Sequence, residues 1–140
     1  MKNDMREYIN KVKNFKKTIN QNNSTEEKFV VDNDKFELFI GNNLVSESGF
    51  NIEQPDEWFN ENYVTIFNLK TIKEFQGKGF AKQLLNKIFQ YVKNELKINI
   101  ITLLIYKNNT TALNLYINSG FEVFQDFEDD NPSYILIKKL

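Results

Sequence analysis

Ile72-Lys73-Glu74-Phe75-Gln76-Gly77-Lys78-Gly79-Phe80-Ala81-Lys82 is the stretch on which the reading of this chain turns. Before it, Tyr63–Ile72 is rich in β-branched and aromatic residues, as a strand requires. After it, apolar residues recur at 80, 84, 85, 88, 89, 92 and 96, three to four apart, the period of an amphipathic helix. A glycine-containing turn therefore joins a strand to a helix. Amides in such a turn, with the helix N-terminus, form a concave site for an anion. The helix dipole supplies about half a positive charge there, and Lys78 and Lys82 add formal charge. Two phosphate-binding patterns fail on spacing. A Walker loop needs a Gly five residues before Gly79 and a Lys after it, and neither is present. A dinucleotide fingerprint needs a small residue where Lys82 stands. A turn that merely connects strand to helix is the plain alternative.

Outward from the turn, the order is helix, strand meander, helix, strand, helix, two strands. Met5, Tyr8, Ile9, Val12, Phe15 and Ile19 predict a first helix. Phe29–Val31, Phe36–Ile40 and Leu44–Ile52 read as strands, with a turn at Gly41–Asn43. Gln54–Asn62 is an acidic loop holding the single Trp. Ile98–Tyr106 is almost continuously apolar, so it is expected to be central and covered on both faces. Asn109 is placed to cap a third helix, and Gly120 to end it. Phe121–Phe127 and Tyr134–Ile137 complete the strands. The pattern predicts a mixed α/β fold: one domain over 1–140, a sheet of six to seven strands, and helices on both faces.

Composition narrows the chemistry. The chain has 140 residues, with no Cys and no His. Disulfides, thiol nucleophiles, Cys or His metal sites and a Ser-His-Asp triad are all excluded. Eighteen basic against 19 acidic residues give a formal charge of −1, so nothing pulls the chain globally toward nucleic acid or a membrane. No apolar run exceeds four residues, as at Leu103–Tyr106, and Met1–Glu7 is charged. No secretory signal or spanning segment is expected, and the cytoplasm is the default location.

Gln76-x-x-Gly79-x-Ala81 resembles the Q/R-x-x-G-x-G/A signature of the GNAT superfamily, the GCN5-related N-acetyltransferases. Asn109-x-x-Ala112-x-x-x-Tyr116-x-x-x-Gly120-Phe121 is similar to the family's second motif, and both lie on the expected elements in the expected order. The resemblance implies two parallel middle strands that splay apart, here Tyr63–Ile72 and Ile98–Tyr106, with acetyl-CoA between them. The backbone of Leu69, Lys70 and Thr71 would pair with the pantetheine arm, and an amide there would polarise the acetyl carbonyl. Gln76 and the amides of Gly77, Lys78, Gly79, Phe80, Ala81 and Lys82 would hold the pyrophosphate. Asn109 matches a CoA-contacting Asn. Tyr116 matches the usual general acid for the departing thiolate; without the family match, a core tyrosine packed on Phe121 is the better reading. Tyr63, Tyr91, Tyr106 and Tyr134 read as packing residues. No metal is implied.

The implied activity is transfer of an acetyl group from acetyl-CoA to a primary amine by direct attack. A non-catalytic acyl-CoA-binding or regulatory module on the same fold is the alternative, and O-acetylation or another acyl donor stays open. Some relatives carry a Glu base five residues before the motif Asn; that position here is Leu104. Glu47, Glu53, Glu57 and Glu61 are bases by vicinity only, so deprotonation through ordered water is expected. Two acidic loops, Glu53–Asn62 and Asp126–Asn131, are expected to flank the acceptor end and steer a cationic small molecule or basic peptide toward it. A strand before the first helix is missing or is replaced by Phe29–Val31. The acceptor side is then either open or closed by a second subunit, as a homodimer.

Overall fold

The computed structural model describes residues 25–140; the expected helix at Met5–Ile19 lies outside the described residues. Seven strands follow in chain order: β1 (Glu27–Asp32), β2 (Lys35–Ile40), β3 (Asn43–Glu53), β4 (Tyr63–Thr71), β5 (Ile100–Tyr106), β6 (Glu122–Phe127) and β7 (Ser133–Lys139). Two helices interrupt them, α1 (Phe80–Asn94) and α2 (Thr110–Asn118), with a 3-10 turn at Lys73–Phe75. The strands form one sheet in the order β1-β2-β3-β4-β5-β7-β6. The expectation of a mixed α/β fold on six to seven strands is met, and Glu27–Asp32 supplies the edge strand beside β2.

The chain forms two compact units. Among the described residues, the first comprises 25–49 together with Asn68–Lys87. Here β1, β2 and the start of β3 make an antiparallel meander, pairing Phe29 with Leu38 and Leu38 with Ser46. Phe36, Leu38 and Val45 are fully buried, as are Leu84 and Leu85 of α1. Val30 and Phe39 form a smaller cluster under Leu44.

The second unit comprises Phe50–Phe67 and Ile88–Leu140. β5 pairs antiparallel with β7 along its whole length, from Ile100↔Lys139 to Tyr106↔Ser133. β7 also pairs with β6. Ile88 and Val92 of α1, Ile101 and Leu136 are fully buried. Between β4 and β5 the parallel register comprises two pairs, Val64↔Ile101 and Thr65↔Thr102. The hydroxyls of Thr65 and Thr102 meet at 3.0 Å across that joint, and Thr102 is buried. Three residues beyond Thr65, Asn68 takes a left-handed φ of +53°, which Asn tolerates better than the β-branched residues around it. Nothing in the hydropathy pattern marks that break.

One expectation for β5 is corrected. Ile100–Leu103 are successively buried, as a strand covered on both faces requires, but Leu104 and Tyr106 are about half exposed (53% and 48%). They share a face by the two-residue period, so one face of β5 opens toward its C-terminal end. Tyr106, read from the sequence as a packing residue, is thus about half exposed.

The threonine joint supports a testable expectation. Thr102→Val keeps the shape but strands the Thr65 hydroxyl, and should cost about 1 kcal/mol in urea unfolding. The double variant Thr65→Val/Thr102→Val should cost less than the two single changes added together, because neither partner is then left unsatisfied.

Candidate functional site

In the first unit, β4 ends at Thr71 and the 3-10 turn leads into Gln76–Gly79. Gly77 and Gly79 have φ of +77° and +83°, the left-handed region that other residues enter at a cost of roughly 1–2 kcal/mol. A Cβ at either position would meet nothing within 4 Å. The glycines are thus required by conformation, and the space beside them is open. Gln83 N–H donates to Gly79 C=O at 3.1 Å, which closes the first turn of α1. The amides of Phe80, Ala81 and Lys82 precede that bond, in the opening turn where a helix has no acceptors of its own. Open space beside unsatisfied amides fits a phosphate oxygen. Lys78 Nζ lies 5.9 Å from the Phe75 ring, and Phe75 packs edge-on against Phe80 at 6.2 Å.

Gln76 also holds the turn in place. Its Nε2 donates to Thr71 C=O at 3.0 Å, tying the turn to the end of β4. Just before it, the backbone of β4 alternates. Ser46 Oγ donates to Lys70 C=O at 2.9 Å, and Ile72 N–H donates to Val45 C=O at 2.9 Å. Lys70 and Ile72 therefore turn their backbone groups toward β3, and by the strand period Leu69 and Thr71 turn theirs away from it. An extended ligand pairing with this strand would meet Leu69 and Thr71. The Lys70 side chain faces Glu47, with Nζ to Oε2 at 3.5 Å, and Glu47 also meets Lys35 at 3.4 Å. Two lysines thus share the Glu47 carboxylate.

In the second unit, Asn109 Oδ1 accepts from Ala112 N–H at 3.4 Å and caps α2. Tyr116 is the buried residue of that helix. Its ring packs edge-on against Phe121, 5.5 Å between centroids, and Phe121 rests in turn against Phe89 at 5.8 Å. Burial pushes the Tyr116 phenol up to about 12, so it stays protonated at neutral pH. That state can donate to a developing thiolate. Leu104 stands exposed on the opened face of β5, with no base among its own atoms. Half-exposed Tyr106 shares that face and was missed as a site candidate; its only sequence signal is the alternation of β5.

The two acidic loops do not flank one place. Asp126–Asn131 runs on from the end of β6 beside the end of β5, where Lys107 N–H donates to Pro132 C=O at 2.9 Å. Lys107 Nζ donates to both Asp126 and Glu128, and its ammonium lies 4.7 Å from the Tyr134 ring centroid. Those carboxylates raise the Lys107 pKa, and the lysine offsets the charge credited to the loop. Asn131 N–H donates to Asp129 at 3.0 Å. The other loop meets the beginning of β5, where Asn99 Nδ2 donates to Glu61 at 3.5 Å. Within it, Tyr63 OH donates to Asp56 Oδ2 at 2.5 Å, and the amides of Trp58 and Phe59 donate to Oδ1 at 2.9 and 3.2 Å. The Tyr63 hydroxyl first, then the Trp58 amide, hold the Asp56 carboxyl below its ordinary range. The same bond pushes the Tyr63 phenol up to about 12. The expectation of paired acidic walls is thus corrected, and the reason is non-local pairing.

Among the described residues, no group of three or more His, Cys, Asp or Glu side chains is placed to hold a metal ion. No helix among them is long and apolar enough to cross a membrane.

The strand, the left-handed glycine turn opening α1, and the Asn-capped α2 carrying a buried tyrosine follow one another in the order of the two sequence motifs. The chain belongs to the Acetyltransferase (GNAT) family, which it matches over residues 4–121. It is similar to the probable spermine N(1)-acetyltransferase of Bacillus subtilis subsp. natto, with 35% identity over 68 residues, 49% of this chain and 44% of that protein. It is also similar to the spermine/spermidine N(1)-acetyltransferase of Bacillus subtilis strain 168, at 34% over the same shares. The matched segment spans less than half the length of these curated relatives. Among solved structures, it resembles a chimera of Vibrio cholerae spermidine N-acetyltransferase SpeG with hSSAT. There the TM-score is 0.62 at 19% identity, covering 75% of this chain and 64% of that one. The NatC complex bound to Gag peptide and CoA gives a TM-score of 0.62 at 21% identity, covering 76% and 70%. At such identities the likeness is one of fold.

The raised Tyr116 pKa sets a pH expectation. An unfolded phenol ionises near pH 10. Between there and about 12 the unfolded chain releases a proton that the folded chain keeps, so stability is fully present below pH 10 and declines above it. Urea midpoints should fall more steeply from pH 9 to 11 for the natural chain than for Tyr116→Phe.

Proposed function

We propose that this chain transfers the acetyl group of acetyl-CoA to a primary amine by direct attack in a ternary complex. The observation that carries the reading is the pair of left-handed glycines, with open space beside them, at the start of α1. In this reading the amides of Gly77–Lys82 hold the pyrophosphate, Leu69 and Thr71 meet the pantetheine arm, and Asn109 contacts CoA while capping α2. The amine nitrogen attacks the thioester carbon and the C–S bond breaks. The sulfur leaves with the proton of Tyr116, and the proton lost by the amine passes through water and restores the phenol. No carboxylate on the matched motifs serves as base, which supports the route through water.

The proposed partner is an amine, a cationic small molecule or a peptide end; the spermine and spermidine named for the relatives are members of that class. A second copy of the chain on the acceptor side belongs to the proposal. Nucleic acid and membrane do not, in keeping with a formal charge of −1. Residues 1–140 are taken as one domain because β3, β4 and α1 each run from one compact unit into the other. The cytoplasm is the proposed compartment, with which a chain lacking Cys is compatible.

Free-CoA release measured over a panel of polyamines, small amines and peptides tests the activity. Tyr116→Phe should lower kcat by about 100-fold while acetyl-CoA affinity changes less than about twofold. Gly79→Ala should weaken acetyl-CoA binding about tenfold and cost about 1 kcal/mol of stability, since alanine strains at that φ. Tight acetyl-CoA binding with no turnover on any amine would replace the enzyme with the non-catalytic acyl-CoA-binding module.

A further inference from the structure

A cleft of about 840 Å³ opens in the second unit at the beginning of β5. Asn109 follows the far end of the same strand. Seven residues of β5 separate the two ends, about 20 Å at the rise of a strand. Asn109 thus lies away from the cleft, while Gly120-Phe121 directly precede its Glu122.

Its wall is aromatic. Trp58 packs edge-on against Phe124 at 5.8 Å, and Phe59 stacks on Phe124 at 5.1 Å. Phe59 also meets Tyr63 edge-on at 4.9 Å, over a base of Ile100 and Ile137. The rings hold one another, and Asp56 fixes the loop that carries two of them. Trp58 nevertheless remains 39% exposed, so a large ring face is left toward the cleft and solvent.

Its rim is acidic. Asp56, Glu57, Glu61 and Glu122 line it against a single base, Lys139. Neither Glu57 nor Glu122 has a cationic partner among the described residues, and Glu61 receives only the long bond from Asn99. Exposed aromatic faces attract cations through their quadrupole, and three carboxylates without a cationic partner add to that attraction and repel anions. A cleft of this size suits a small molecule.

We infer that this cleft binds an organic ammonium ligand, its charged head at the glutamate rim and its apolar body on the Trp58–Phe59–Phe124 wall. The inference does not rest on the acetyl-transfer reading.

Trp58 is the only tryptophan in the chain, so its emission reports on this cleft. The full chain is titrated at constant ionic strength with hexylammonium chloride, 1-hexanol and sodium hexanoate. Hexylammonium should give a saturable change with half-saturation about fivefold lower than that of hexanol, and hexanoate should give none. Glu61→Gln and Glu122→Gln should each raise the hexylammonium half-saturation about threefold. Tyr116→Phe should leave it unchanged, which separates this site from the proposed reaction. Equal half-saturation for hexylammonium and hexanol would make the cleft merely apolar and overturn the inference. So would a response that does not saturate, or glutamine variants that behave like the natural chain.

Discussion

Two pairs of residues, Val64↔Ile101 and Thr65↔Thr102, join the parallel neighbours β4 and β5. The rest of the structure depends on how short that joint is. Parallel strands need a crossover between them, and here the crossover contains the glycine turn and α1. The joint is clamped by a hydroxyl pair on a buried threonine, a directional contact at a place where apolar packing alone would allow sliding. Beyond it Asn68 breaks the strand's conformation, and Leu69 and Thr71 then present backbone groups away from β3. A backbone edge that the sheet does not use is what an extended ligand needs.

In the turn after β4 the residues proposed to bind the cofactor also hold the fold. Gln76 ties the turn to Thr71, and the two glycines adopt the left-handed conformations that re-aim the chain into α1. The space where a Cβ would stand at either glycine is open. Asn109 repeats the logic on α2, where the residue proposed to contact CoA also caps the helix. Tyr116 follows it too: packing on Phe121 buries the ring, and burial keeps the phenol protonated. The structural and chemical readings of these residues are therefore not rivals.

The acidic loops show where linear reading stops. In the sequence Asp56, Asp126 and Glu128 are negative charges in polar loops. In the structure Asp56 is bonded by Tyr63 and two amides, while Asp126 and Glu128 share Lys107. Glu57 and Glu122, 65 positions apart in the chain, line one cleft with Trp58. A charge acts through its neighbours, and those neighbours come from other strands.

By itself the sequence determined what is local: the strand-to-helix glycine turn, the Asn109 cap, the helix periods, and the exclusion of thiol and imidazole chemistry. These depend on residues within a turn or two of one another, or on composition alone. Only the tertiary structure decided that β5 opens one face at Leu104 and Tyr106, that Lys70 turns its carbonyl to Ser46, and that the acidic loops lie at opposite ends of β5. Each of these depends on which strands become neighbours. That is set by pairing between segments distant in the chain, and no local period records it.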